Sequence, residues 1–465
     1  MKIKHDKEYA IKKIANILVK SLPNLSNKNM LRLINLLQVF KVRGEYKTAN
    51  TALQGLKKML EKNHPNLGII RNLSNYLSDN CKKKLLENFI LNSAFFSREK
   101  KNAFAKKHGF FPPFFFVISP TMKCNLNCEG CYASKYDKNE LSFQLIDRIF
   151  NEAKDMGTYF ITVSGGEPFL RKDLLDLFEK HNDMYFQVYT NGTLIDEKIA
   201  KKLSELGNVA IALSLEGFKK ETDARRGKGT FDKVLNAIEN LRKEGVLFGL
   251  SAVPTRHNAE VLCSERFIDF LLEQGFYFGW YFQYIPIGKK PDVKLMMTPE
   301  QRNRFRIKLS EVRSRKRIFL TDFWNDGPYV KGCMAGGKHY FHINSNGDVE
   351  PCVFVHYAVD NIKEKSLTEV LSSGFFREIR KHQPISENHL KPCMIIDNPN
   401  VLRKICKNHK PKPTHAGSRI TEDKKITRFL DGYSRKFKDI VDPIWEKEYS
   451  KWYKHWFHNN KSGGE

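Results

Sequence analysis

An α/β fold is predicted for this chain of 465 residues: a partial (β/α)6 TIM-type barrel with an N-terminal helical region and a C-terminal cysteine-containing extension. Three observations predict it. Six short apolar runs lie between 114 and 285, amphipathic helical patterns separate them, and the chemically distinctive motifs fall directly after the runs. Apolar strands each followed by a helix imply a parallel sheet covered on its outside. Curling that sheet gathers the loops after the strand C-termini around one mouth.

Residues 1–108 read as a basic helical region. Helical patterns run from Glu8 to Leu22, from Asn29 to Val42 and from Asn50 to Lys62, with no strand alternation and no catalytic cluster. Gly109 to Pro113 then marks a boundary, because paired prolines stop helices. The predicted barrel occupies 109–320. Its strands are Phe114–Ser119, Tyr159–Ser164, Tyr185–Thr190, Val209–Leu215, Leu247–Val253 and Phe276–Ile285. After the first, Ser142 caps a helix with Leu145, Ile146, Ile149, Phe150 and Ala153 on one face, and Gly157 ends it. Comparable helices fill 173–182, 196–206, 230–244 and 260–274. A loop-rich region, 325–410, holds four cysteines, and a basic, aromatic, helical tail covers 411–465.

Composition narrows the function. With 41% apolar and 12% aromatic residues the chain can bury a large core and is not a disordered one. No window reaches the roughly 18 apolar residues of a membrane span. The first twenty residues carry charges throughout and lack an apolar centre and a cleavage site, so the expectation is a cytoplasmic protein. The net charge is +27, concentrated in the flanks: residues 1–110 hold 23 Lys and Arg against 7 Asp and Glu, and 401–465 hold 16 against 8. Solvated helix faces account for such an excess, as does an anionic partner. Trp445, Tyr449, Trp452 and Trp456 gather on one side of the tail helix, a stripe that either packs on its own domain or rests peripherally at the inner membrane surface. Nucleic acid is not expected, since no recognised binding motif accompanies the charge.

Nine cysteines without a secretion signal do not read as a disulfide framework. After the first strand comes Cys124-x3-Cys128-x2-Cys131. Three thiolates on one loop can hold three irons of a cubane and leave the fourth open. A structural zinc site, the alternative, prefers four ligands and a small loop-rich domain over the mouth of a barrel.

With Ser164-Gly165-Gly166-Glu167-Pro168 ending the second strand, residues 111–290 resemble the radical SAM superfamily. The resemblance implies a [4Fe–4S] cluster on Cys124, Cys128 and Cys131 whose open iron chelates S-adenosylmethionine, and reductive cleavage to a 5′-deoxyadenosyl radical that abstracts a substrate hydrogen. It assigns the SAM amino group to Gly165, Gly166 and Glu167, and sets Asn191 in a loop near SAM. Ser214 and Glu216 follow strand four, with Glu216 directed to the ribose hydroxyls, and Arg226 pairs the SAM carboxylate. Ser251, Thr255 and Asn258 repeat a pattern of the same group. Each of these polar residues also has an ordinary turn or capping reading. Gly130 departs from the aromatic that many members place before the third cysteine, and Tyr132 is the candidate to replace its stacking.

Cys333 and Cys352, in a C-x13-G-x4-C pattern with Gly347, flank an Asn-Gly-Asp hairpin signal. This resembles the start of the SPASM or shorter twitch extension, which implies one auxiliary [4Fe–4S] cluster on Cys333, Cys352 and Cys393, with Cys406 the candidate fourth ligand; a four-cysteine zinc site is the alternative. Cys81 and Cys263 read as buried thiols. The implied activity is modification of a peptide or protein, with a lipid or lipid precursor second and a non-enzymatic metal-binding protein third. A low-potential electron donor such as ferredoxin or flavodoxin would serve it.

Overall fold

The computed structural model describes residues 66–451 except 289, together with Leu31, Gln54, Lys57, Lys58 and Glu61, which are helical. The helices expected before residue 62 otherwise lie outside the described residues, as do Trp452 and Trp456.

The molecule is built on one mixed nine-stranded sheet flanked by helices. In chain order the strands are β1 Phe115–Ile118, β2 Phe160–Val163, β3 Tyr185–Thr190, β4 Val209–Ser214, β5 Phe248–Ala252, β6 Phe278–Tyr281, β7 Phe319–Asp322, β8 His342–Ile343 and β9 Val349–Glu350. Strands β1 to β7 are parallel and pair in sequence order; β8 runs parallel to β1 on its other side, and β9 is antiparallel to β8. This order has two ends, β7 and β9. All six predicted strands are present, and three more are added. β7, Phe-Leu-Thr-Asp, shows no apolar alternation in its sequence and opens on an exposed Phe319, and β8 and β9 span two residues each, so none of the three leaves a periodic signature.

The helices form where the apolar spacing requires. In α1, Phe143–Met156, the Ser142 side chain accepts from the Leu145 N–H, and Gly157 ends the helix at φ +89°. Helices α2 Leu174–Lys180, α3 Glu197–Leu206 and α4 Thr230–Lys243 follow β2 to β4. The predicted helix over 260–274 is two pieces, Ala259–Leu262 and α5 Glu265–Glu273, because Ser264 caps the second by accepting from Phe267 N–H. The N-terminal helices pack at the other end of the strands. Phe89 meets the β2 residue Phe160 at 5.0 Å and the β3 residue Tyr185 at 5.5 Å, which leaves the strand C-termini clear.

Buried polar contacts join the cysteine-containing extension to this sheet. His342 in β8 shares its ring nitrogens between Ser119, at 2.8 Å, and Glu350 in β9, at 2.6 Å. Glu350 also accepts from Tyr136 at 2.7 Å and Asn344 at 3.1 Å. Against the tail, Arg302 of α6, Pro299–Arg315, is fully buried. It forks onto Asp397 at 2.5 and 3.2 Å, donates to Asn325 at 3.0 Å and covers the ring of Phe437 at 3.8 Å. Phe437 belongs to the long helix α7, Lys424–Ile444, whose Leu430, Tyr433 and Val441 are buried beside it. Trp445 is buried and stacks on Tyr449 at 5.7 Å, and Tyr449 accepts from Arg306, so this part of the tail stripe packs on the protein. Among the described residues no helix is long and apolar enough to cross a membrane.

Replacing Arg302 by Met should leave Asp397 buried without a counter-charge and cost about 3–5 kcal/mol, read as a lower urea midpoint. Pairing it with Asp397→Leu should recover much of the loss. Burial holds His339, His356 and His389 down to about 4, so these rings stay neutral in the fold while the unfolded chain takes up protons near 6.5. The stability they contribute is complete above pH 6.5 and is lost as pH falls toward 4. A pH series of melting temperatures on the metal-free chain should show that decline.

Candidate active site

The loop after β1 carries Cys124, Cys128 and Cys131, and its conformation is imposed by neighbours. The turn after β2 runs beside it: Gly166 N–H donates to Thr121 O at 3.0 Å and Glu167 N–H to Lys123 O at 2.8 Å. Glycine is needed there, because a Cβ on Gly166 would lie 2.1 Å from Lys123 O and one on Gly165 2.3 Å from Thr121 O. On the far side, Glu129 N–H donates to Arg225 O at 2.9 Å.

Glu167 is fully buried and faces the strand-three loop. Its carboxylate accepts from Thr190 at 2.7 Å, from Asn191 N–H at 2.8 Å and from Phe169 N–H at 3.1 Å, although burial lifts its pKa. Asn191 thereby joins three loops: its side-chain amide donates to Asn125 at 2.8 Å and lies 4.0 Å from Cys124 Sγ, and its oxygen accepts from Thr193. Glu216 is buried as well. Burial alone would raise its carboxyl, but Arg225 and Arg226 outweigh it and hold it below its usual value. Arg226 donates to it at 2.9 and 2.5 Å, Arg225 adds a further hydrogen bond, and Val253 N–H reaches the second oxygen at 2.9 Å. Glu216 thus anchors the two arginines, which lie within electrostatic reach of Cys131.

All of this faces a cavity of about 500 Å3. Gly165, Gly166, Asn191, Ser214, Arg226 and Tyr132 line it, as do the three cysteines; Glu167 and Glu216 stand behind its wall. Tyr132 donates to or accepts from Ser164 at 2.8 Å. Ser214 and Ser251 are register partners on β4 and β5 and line the same wall. Thr162, Gln187, Thr190 and Gln283 add polar groups, and the rest of the lining is apolar and largely aromatic, including Tyr189, Trp280, Phe282, Phe323 and Phe354. Among the described residues its only Lys, Arg, Asp or Glu side chains are Arg225 and Arg226, both held by Glu216. Sequence reasoning passed over Tyr284. Its ring fills the space beside Gly130, where a Cβ would come within 2.5 Å of Cε2, so an aromatic from β6's end stands where the loop has glycine. Its place at the end of the sixth apolar run was the available signal.

Cys333, Cys352 and Cys393 converge, each within electrostatic reach of at least one of the others. Burial pushes all three thiols up to about 12. Cys406, raised by burial and by Glu422, sits on the helix Pro399–His409 apart from them, and the structure does not bring it to the trio. Thr255 and Asn258 are spent on each other at 2.8 Å and on main chain, a turn role. Cys81 and Cys263 are buried thiols. Among the described residues no three His, Cys, Asp or Glu side chains are spaced to clasp one metal ion. Three cysteines in each trio are a donor set that an iron–sulfur cluster takes, and such binding must strip the protons from Cys124, Cys131, Cys333, Cys352 and Cys393, whose thiols burial pushes up.

Known proteins resemble the chain in sequence and in fold. The sequence profile of the radical SAM superfamily matches residues 118–260, and that of the SPASM iron–sulfur cluster-binding domain matches 333–394. The chain is 28% identical to the Fe-coproporphyrin III synthase of Methanosarcina barkeri over 316 residues, covering 60% of this chain and 79% of that one. It is 31% identical over 291 residues to the mycofactocin maturase MftC of Mycolicibacterium smegmatis, covering 58% and 71%. Its fold resembles that of Streptococcus suis SuiB. The TM-score is 0.55 for the S-adenosylmethionine complex, at 22% identity and covering 70% of this chain and 81% of that one. It is 0.54 for the complex with the precursor peptide SuiA, at 21% identity and covering 70% and 79%.

Substituting Ala at Gly166 should force Lys123 and the cysteine loop apart and weaken S-adenosylmethionine binding at least tenfold in equilibrium dialysis of the iron-loaded protein. Gly432→Ala, where nothing lies within 4 Å of the added carbon, should bind as the parent does.

Proposed function

The chain belongs to the radical SAM superfamily and carries a SPASM-type region, and on that premise we propose an enzyme that holds a [4Fe–4S] cluster and S-adenosylmethionine at the mouth of its cavity and modifies a peptide. One observation carries the reading: the three-cysteine loop and the two-glycine turn interlock at the wall of a single apolar cavity. The sheet would serve as a partial barrel around that cavity, since residues of β1 through β7 line it. The core would span 109–320, with 325–410 as the auxiliary region.

When bound, the cluster and S-adenosylmethionine supply a radical that takes a hydrogen atom from the substrate. The protein's own work is positional. Cys124, Cys128 and Cys131 would each give a thiolate to one iron, with the charges of Arg225 and Arg226 favouring the deprotonated form of Cys131. Gly165 and Gly166 leave their main chain bare of side chains toward the cavity. Glu167 and Glu216 act one step back: the first steadies Asn191, and the second fixes Arg226 for a carboxylate. The aromatic wall excludes water. Cys333, Cys352 and Cys393 would hold an auxiliary cluster, without Cys406.

A peptide substrate is supported by the maturase among the relatives and by SuiB, which has been crystallised with a precursor peptide. The cavity's lack of unpaired charge means that the part of the substrate entering it is apolar. The same wall favours a second reading, an apolar molecule such as a lipid precursor in place of the peptide. A low-potential one-electron donor would serve either.

Anaerobic protein given dithionite and S-adenosylmethionine should release 5′-deoxyadenosine, and Ala at Cys124, Cys128 or Cys131 should abolish it. Ala at Cys333 should lower the iron content yet retain cleavage; Ala at Cys406 should leave the iron content unchanged. Incubation with deuterated cell extract split into peptide and lipid fractions separates the two substrates. Deuterium in 5′-deoxyadenosine from the peptide fraction supports the first reading, and from the lipid fraction alone the second. No cleavage at all ends both.

A further inference from the structure

Tyr340 belongs to two sites at once. Its hydroxyl lies 2.7 Å from Cys352 Sγ, and it is within electrostatic reach of Cys333 and Cys393 as well. Its ring lines the cavity that faces the first cysteine loop. The flanks of the trio do the same: Met334 follows Cys333, Val353 and Phe354 follow Cys352, and all three line that cavity. At Tyr340 the partition between the auxiliary thiols and the cavity is one side chain deep.

The ring is also held in place. It stacks on Phe115 of β1 at 5.3 Å with the planes 5° apart, and Phe323 abuts it edge-on at 5.5 Å. Packing on two sides fixes the direction of the O–H bond, so the hydroxyl has little freedom to turn elsewhere. A tyrosine that merely filled space would be served by phenylalanine. The hydroxyl is buried, and a buried hydroxyl needs a partner; the sulfur is the one it has. Against a thiolate the hydroxyl can only donate, and a hydrogen bond to a cluster sulfur stabilises the added electron.

We propose that Tyr340 is a positioning residue for the auxiliary cluster: it donates a hydrogen bond to the Cys352 thiolate, raises the cluster's reduction potential, and does so from the wall of the substrate cavity. This rests on the reading that Cys333, Cys352 and Cys393 hold a cluster.

The test uses the full chain with Cys124, Cys128 and Cys131 replaced by Ala, so that only auxiliary iron remains. After anaerobic reconstitution, a redox titration followed by electron paramagnetic resonance gives the potential. Tyr340→Phe keeps the ring packing, should keep the iron content, and should lower the potential by about 59 mV, a tenfold shift of a one-electron couple. One exchangeable-proton coupling should also vanish from the electron–nuclear double resonance spectrum. Fluorotyrosine at position 340 keeps the shape, strengthens the donor and should move the potential up; it decides the matter should the phenylalanine variant fail to load. Unchanged potential and proton couplings overturn the proposal. A parent that takes up no iron overturns the auxiliary-cluster reading itself, and the proposal with it, while leaving the first cluster untouched.

Discussion

One buried carboxylate ties the two cysteine sites to a single framework. Glu350, with no exposed surface, gathers Tyr136, Asn344 and His342 around its oxygens, and His342 passes the connection on to Ser119. Ser119 follows β1 directly, five residues before Cys124, Tyr136 follows the first loop, and Glu350 stands two residues before Cys352. A fully satisfied buried network of this kind resists sliding, since any displacement strands a charge in the interior. The two-residue strands β8 and β9 could not by themselves hold the extension in register; the carboxylate network can.

The same economy governs the first loop. Three cysteines within eight residues leave too little regular structure to set their own geometry, so the shape is borrowed. The two-glycine turn presses on one side, the backbone of Arg225 on the other, and Asn191 bridges to Asn125. Two acidic side chains that a motif reading aims at the cofactor also brace the site, each bonded to groups that face the cavity. The arginines need Glu216 for another reason. Two uncompensated cations at an apolar wall would carry a heavy desolvation cost, and a shared buried anion offsets it.

The six-strand core was legible because each run is four residues or longer, largely buried and followed by an amphipathic helix; period and length suffice for such elements. β7 was not, since its four residues, Phe-Leu-Thr-Asp, set two apolar ones side by side before two polar ones, with no apolar alternation in the sequence. The cysteine loop and Gly165–Gly166 were legible because chemistry restricts residue type there. Glu216 and Glu167 were named without the protein neighbours they take in the fold, for sequence carries residue type and order and says nothing about which side of a loop a carboxylate faces. Cys406 shows the same limit. Four cysteines in one region suggest four ligands, while in the fold the charged neighbour that acts on Cys406 is Glu422.

The tail, set apart by composition as a basic appendage, is in the fold a buttress for the auxiliary site. Asp397 accepts from Cys393 N–H at 3.0 Å with one oxygen and from Arg302 with both. Arg302 lies under Phe437 of α7, and Ser434 of the same helix reaches Asp397 O. The turn that presents Cys393 is therefore clamped between α6 and α7, and neither helix carries a cysteine. An arginine is suited to this place because its planar fork serves a carboxylate while its face lies against an aromatic ring, which a lysine does not do. Composition cannot disclose such a role: the charge that makes the segment look like a solvated arm is spread over its outer face, while Ile426, Leu430, Tyr433, Phe437 and Val441 turn inward and help decide where Cys393 stands.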